Sequence, residues 1–311
     1  GLALVAWGTA ASVYHPAGLS LISTGVQQRG RALAWHGIAG NTGIALGPLV
    51  TALLLLVFDW STVAALLALP ALGATIVAAR VSVDEQAAVQ PSDANANART
   101  GGPSSLRALW TQTGRLFATG FAVVFALVAV SGLYYRGVLT FLPDLLTPLV
   151  AVDLPIDVAP GRYVYAGLLG VGVLGQYVGG RLSDSDHIER ILVAAFGALA
   201  LIALVFLPVA GAGTIPLLAV SAALGFALFV VQPLYQATVA EVTPPDARGL
   251  SYGFTYLGVF GIGALGAALA GTLLQYTSPS VLFAVLAGVA VVGAGLSGWL
   301  LVHRREHTEA S

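Results

Sequence analysis

The sequence predicts an all-α, polytopic membrane protein, and three observations carry that prediction. Of its 311 residues 57% are hydrophobic and 9% charged, where a soluble domain carries roughly a quarter charged residues. The apolar residues gather into nine stretches near the length of about 20 residues that crosses hydrocarbon. Only helices or closed barrels pair every backbone group there, and these runs have the length of helices. Arginine is also distributed asymmetrically across the connections between the stretches.

The first span, 2–22, contains VYHPAG, placing His15 and Pro16 in an apolar run. The second, 32–57, follows Arg29 and Arg31 and is spaced by Gly37, Gly40, Gly43 and Gly47, with Asn41 among them. The third, 61–79, is almost wholly apolar. A polar connection over 81–115, rich in Asn, Asp, Ser, Gly and Pro, reads as a flexible linker. Its last part, SLRALWTQTGR, reads as a short interfacial helix. The fourth span, 116–142, carries Ser131, Tyr134, Tyr135, Arg136 and Thr140. The fifth, 163–180, is glycine-rich, and the sixth, 190–208, is apolar. The seventh, 214–240, repeats the opening pattern with Gln232 before Pro233, then Tyr235, Gln236 and Thr238. The eighth, 250–275, is again glycine-rich, and the ninth, 281–302, is apolar with several glycines. Residues 303–311 form a polar tail.

Alternate connections place Arg29, Arg31, Arg80, Arg99, Arg107, Arg115, Arg181, Arg190 and Arg248 on one side with tail residues Arg304 and Arg305, and only Arg162 on the other. Asp59, Asp144, Asp153 and Asp157 fall on the arginine-poor side. The positive-inside rule makes the arginine-rich side cytoplasmic, so the tail is cytoplasmic and the protein sits in the cell membrane. Trp60 and Trp110 fall where interfacial aromatics are expected. A net charge of −1 with no lysine gives no nucleic-acid signature. No cysteine is present, which excludes disulfides and thiolate metal sites. No methionine is present either, and the chain begins inside an apolar span, so the expectation is a fragment lacking its N-terminus.

The echo between the first and seventh spans extends into a repeat. YHPAGLSLISTGVQQRGRALAWHGIAGNTGIALGPL aligns with VQPLYQATVAEVTPPDARGLSYGFTYLGVFGIGALGAAL, setting Pro16 on Pro233, Arg29 on Arg248 and Gly47 on Gly266. Six spans separate the copies, the spacing of two parallel halves of a six-plus-six transporter. A period of three in span chemistry accompanies it: polar cavity helices, glycine-rich packing helices that slide during gating, and lipid-facing helices.

YHPAG, RGRALAWHGIAGNTGIALGPL, GGRLSDSDHIER and AEVTPPDARGLSYG resemble the major facilitator superfamily, and the nine spans look like its helices four to twelve. Within it they look most like the fosmidomycin-resistance type of drug exporter. The resemblance implies a major facilitator fold without its first three helices: 1–80 would end the first half, 81–115 link the halves, and 116–302 form the second half. Gly43-x-x-x-Gly47-Pro48 is similar to the antiporter motif, which implies a tightly packed, bendable contact with the opposite half and export against protons; Thr51-Ala52 replace its terminal glycine pair. In the loop motif Gly180, Leu182, Asp184 and Arg190 match, whereas Ser185 and His187 depart from it. A small-molecule substrate, protons and the bilayer are the implied partners of a monomeric carrier without a cofactor.

The candidate solute and proton pathway is Tyr14, His15, Asn41, Tyr135, Arg136, Gln232, Tyr235 and Gln236. His15 is ionisable inside the membrane and titrates near neutrality; its bland alternative is a neutral histidine bonded to a neighbouring helix. Arg136 attracts an anion, pairs with Asp144, or snorkels to the surface. Only one of Tyr134 and Tyr135 can face a cavity from adjacent helical positions. Asn41 bonds a neighbouring helix or contacts solute, and His36 is placed at the interface. Pro16 and Pro233 read as bends. Asp184 is expected to face Arg29 and Arg31 as an inner gate, with Glu241 and Arg248 as the matching latch; solvated loop charges are the alternative. DSDH at 184–187 is too short for a metal site, and no nucleophile turn or phosphate loop points to an enzyme. The alternatives to export are proton-coupled uptake of an organic acid or sugar and a non-transporting sensor or scaffold.

Overall fold

The computed structural model describes residues 2–26, 29–82, 105–150, 159–243 and 247–309. Its regular elements are helical. The long ones are α1 (Leu2–Gly25), α2 (Arg29–Leu54) and α3 (Trp60–Ala78), then α5 (Ala122–Leu139), α7 (Pro160–Leu182), α8 (Ile188–Ala210) and α9 (Thr214–Val242). A further rod joins α10 (Arg248–Tyr256) to α11 (Leu265–Tyr276), and α12 (Pro279–Glu309) closes the chain. A π-helical segment, Phe117–Phe121, leads into α5, and a second, Leu257–Ile262, joins α10 to α11. The short α4 (Leu106–Leu116) is capped by Ser105 Oγ, which accepts from the Ala108 N–H at 3.2 Å. Another short helix, α6 (Leu142–Leu146), follows α5. Linker residues 83–104 lie outside the described residues.

Helices occupy all nine predicted spans, and seven of them are both long and apolar enough to cross a membrane among the described residues. The remaining two, α1 and α7, have 24 and 23 residues but dilute their apolar side chains, α1 with the Tyr14-His15-Pro16 step and α7 with glycines, Gln176 and two arginines. At its end α12 continues through most of the predicted tail, where the His303 ring stacks on Trp299 at 3.8 Å.

The core lies among α5, α7, α8, α9 and α12. Hydrophobicity does not draw helices together in lipid, so close van der Waals packing must, and glycine sets how near the backbones come. On α7, a Cβ at Gly175 would lie 2.3 Å from the Phe226 carbonyl oxygen and one at Gly179 2.5 Å from that of Val230, while one at Gly225 of α9 would lie 2.2 Å from that of Leu168. The crossing of α5 with the α10–α11 rod is equally tight: a Cβ at Gly132 would sit 2.7 Å from the Val259 carbonyl, and one at Gly266 2.2 Å from that of Leu133. Phe206 stacks on Phe283 at 4.7 Å, joining α8 to α12. Several buried hydroxyls bond within their own helices, as when Thr255 donates to the Ser251 carbonyl at 2.8 Å and Ser297 to Gly293 at 2.9 Å.

The period of three therefore has a structural counterpart, with one correction. Gly172, Gly175 and Gly179 of α7 and Gly263 and Gly266 of the rod pack inside the second half, against α9 and α5. In α2, by contrast, nothing among the described residues lies within 4 Å of a Cβ built at Gly40, Gly43 or Gly47, the glycines of Gly43-x-x-x-Gly47-Pro48 included. Pro48 lies within an unbroken helix. α3 presents Trp60, Leu69, Leu72 and Val77 outward, as a lipid-facing helix should.

Candidate functional site

The polar helices converge on one cavity. Its volume is about 330 Å³, within the usual range for small-molecule sites. α5 supplies Ser131, Tyr135, Arg136 and Thr140; α9 supplies Gln232, Tyr235 and Gln236. α7 adds Tyr165 and Gln176, the α10–α11 rod adds Tyr256 and Phe260, and α2 adds His36, Gly37, Gly40 and Ile44. Tyr165 and Gln176 are eleven residues apart on α7, so the lining extends about 16 Å along that helix at 1.5 Å per residue.

Helical geometry resolves the adjacent tyrosines. Tyr135 faces the cavity and meets Phe229 edge to face at 5.8 Å. Tyr134 points the opposite way into the core, where its hydroxyl donates to the Leu199 carbonyl at 3.1 Å. On α9, Gln232, Tyr235 and Gln236 share one face because three and four residues make a turn. Thr238 Oγ1 donates to the Leu234 carbonyl at 3.0 Å just beyond Pro233, and the helix runs through the proline without a break.

Arg136 is the one charged side chain among the described lining residues. Its guanidinium carbon lies 5.7 Å from the Phe260 ring centre and 6.0 Å from that of Tyr135, within cation–π range. Phe260 is itself stacked on Tyr256 at 5.7 Å. Of the three alternatives for Arg136, the pair with Asp144 is not formed: Asp144 is exposed in α6, and the guanidinium lies over the aromatic rings. This arrangement has a planar cation beside an aromatic shelf, several amides and phenols around it, and no carboxylate among the described lining residues. It can bind an anionic group on a small solute and hydrogen-bond the remainder.

His36, expected at the interface, lines the cavity instead. Its ring stacks on Tyr14 of α1 at 5.8 Å, so Tyr14 stands behind His36 and is not itself a lining residue. The sequence reading missed Gln176, Tyr165, Tyr256 and Phe260. Gln176 is the single amide of α7, and that break in a glycine and aliphatic pattern was the available signal.

His15, Asn41, Arg29, Arg31 and Arg248 lie on described helices, but their side chains fall outside the described residues. Asp184 and Arg190 are exposed around the turn between α7 and α8, Glu241 is exposed at the end of α9, and Gly180 has open space around it. Arg181, next to that turn, covers the Tyr177 ring at 4.7 Å.

The first three helices meet the rest mainly through α2 against α7, with a smaller contact of α1 on α10. The α2–α7 contact is closest toward the Arg29 end, where a Cβ on Gly37 would lie 2.9 Å from Gln176 Nε2. Toward Leu54 the α2 glycines face open space.

The family model of the Major Facilitator Superfamily matches residues 2–265 and again residues 173–311. No curated protein sequence matches the chain. With its polytopic all-helical architecture and a solute-sized cavity among the polar helices, the chain belongs to the Major Facilitator Superfamily of secondary transporters.

Proposed function

We propose that the protein exports small organic solutes in exchange for protons by alternating access, and that the cavity around Arg136 is the solute site. The observation that carries this reading is the guanidinium over Phe260 in a cavity with no carboxylate among its described lining residues. A solute with an anionic end and an apolar or aromatic body fits those groups, because a planar cation binds oxyanions in two-point fashion and ring faces take the body. His36 in the lining, with His15 on the neighbouring helix α1, supplies imidazoles that can carry a proton. Asp184 with Arg29 and Arg31, and Glu241 with Arg248, are the proposed cytoplasmic gate, in a cell membrane with the C-terminus inside. The sequence likeness to fosmidomycin-resistance exporters supports the direction.

Proton-coupled uptake of an organic acid is the second reading, favoured by the open space around Gly43 and Gly47, which leaves the antiporter-like motif without its partner surface. One experiment separates the two. In inside-out vesicles with an acidic lumen, phenylphosphonate is added outside or loaded inside, with benzyltrimethylammonium as the cationic control. Export predicts that external phenylphosphonate dissipates the gradient. Uptake predicts dissipation only with luminal phenylphosphonate, and dissipation by neither would remove proton-coupled transport of this class of solute.

A further inference from the structure

The Gln176 carboxamide occupies an unusual position. Among the described residues its oxygen is buried without a hydrogen-bond partner, although buried polar groups are almost always paired. Its nitrogen fills the space that a side chain at position 37 would need, 2.9 Å from the built Cβ of Gly37. The same residue lines the cavity, and it does so where α2 packs on α7, the main contact of the first three helices with the second half, while no described atom lies within 4 Å of a Cβ built at Gly40, Gly43 or Gly47 further along. One side chain thus belongs both to the wall of the cavity and to the joint between the helices that must part for alternating access.

We propose that Gln176 is the positioning residue that couples the cavity to the α2–α7 joint, its unpaired oxygen keeping the closed contact poised to open. An unmatched acceptor in a dry contact costs more than a typical hydrogen bond contributes. Parting α2 from α7 exposes that oxygen to water or to a donor on a solute, so opening recovers a hydrogen bond that closure forbids. Glycine at position 37 is what lets the carboxamide be trapped, because any larger residue would evict it. The proposal rests on reading the cavity as the solute site only for its link to transport; the bias on the joint is independent of it.

The chain has no cysteine, so spin labels can be placed without background. Cysteines at Leu46 of α2 and Leu174 of α7, both exposed, would report the separation of the helices by pulsed dipolar spectroscopy in lipid nanodiscs without solute. Gln176→Leu keeps the bulk and removes the orphan oxygen, so the short-distance population should rise severalfold. Gln176→Glu keeps the shape and places a carboxylate in the contact, so at pH 8 the long-distance population should rise and should fall back in acid. Shifts in opposite directions would establish the mechanism, since a purely steric role moves both variants the same way. Coincident distributions in wild type and Gln176→Leu, or shifts of one sign in both variants, would overturn it. Opposite shifts accompanied by no phenylphosphonate flux in any variant would retain the Gln176 mechanism and remove the solute-site reading alone.

Discussion

Arg136 is placed where its charge costs least and reads most. Its long stem lies in the wall of the cavity while the guanidinium lies against two ring faces, which hold a fork of donors without neutralising them. Arg136→Ala should weaken phenylphosphonate binding by about ten- to a hundredfold, the loss expected for a charge-assisted hydrogen bond of about 1.5–3 kcal/mol. Arg136→Lys should recover only part of this, because an ammonium lacks the planar fork; titration calorimetry would check both. Asp59 shows the residue scale outside the membrane. Its carboxylate accepts from the Ser61 N–H at 2.9 Å and the Thr62 hydroxyl at 2.6 Å, capping α3, and these bonds together with the Ser61 hydroxyl hold its pKa well below the usual carboxylate range. A depressed folded pKa stabilises above the unfolded value of about 4 and is lost only as the pH falls through the folded one. The melting-temperature gap between wild type and Asp59→Ala should therefore stay constant from pH 8 to 5 and close only in strong acid.

The glycines set how closely the helices approach, and they are not equivalent. Gly132→Ala would drive a methyl into the Val259 carbonyl, a backbone atom that cannot step aside, and should cost about 1–3 kcal/mol. Gly167→Ala, with nothing nearby, should be neutral or slightly stabilising, since alanine loses less backbone freedom in a helix. Thermal unfolding in detergent would compare them. The contrast also marks what was legible in the sequence. Span positions, the cavity role of α5 and α9, and the set Tyr135, Arg136, Gln232, Tyr235 and Gln236 follow from periodicity, because a polar side chain in an apolar helix needs a wet or paired neighbour. Which neighbour each glycine meets does not follow. Gly43 and Gly175 look alike in sequence, yet one faces open space and the other a carbonyl, since the crossing point of two helices depends on both partners. Gln176 was missed for the same reason: it sits in a helix whose glycines pointed to packing, and its role appears only where α2 passes over it.

At the scale of the molecule, the first three helices meet the rest mainly through α2 against α7, and no described atom lies within 4 Å of a Cβ built at Gly43. With that open space as a path to the outside, Gly43→Cys should react with a membrane-impermeant maleimide in intact cells, while Ala203→Cys, buried between α8 and its neighbours, should not. Labelling of Gly43→Cys only in inside-out vesicles would place the opening on the cytoplasmic side. The same separation along the chain has a consequence for synthesis. α2 ends at Leu54 and its main described partner α7 begins at Pro160, about 100 residues later, so at roughly 5–20 residues per second α2 resides in the bilayer for on the order of 10 s before that surface exists. Glycine suits this wait: a bare backbone groove is filled by acyl chains at little cost and leaves no polar group to recruit a wrong helix.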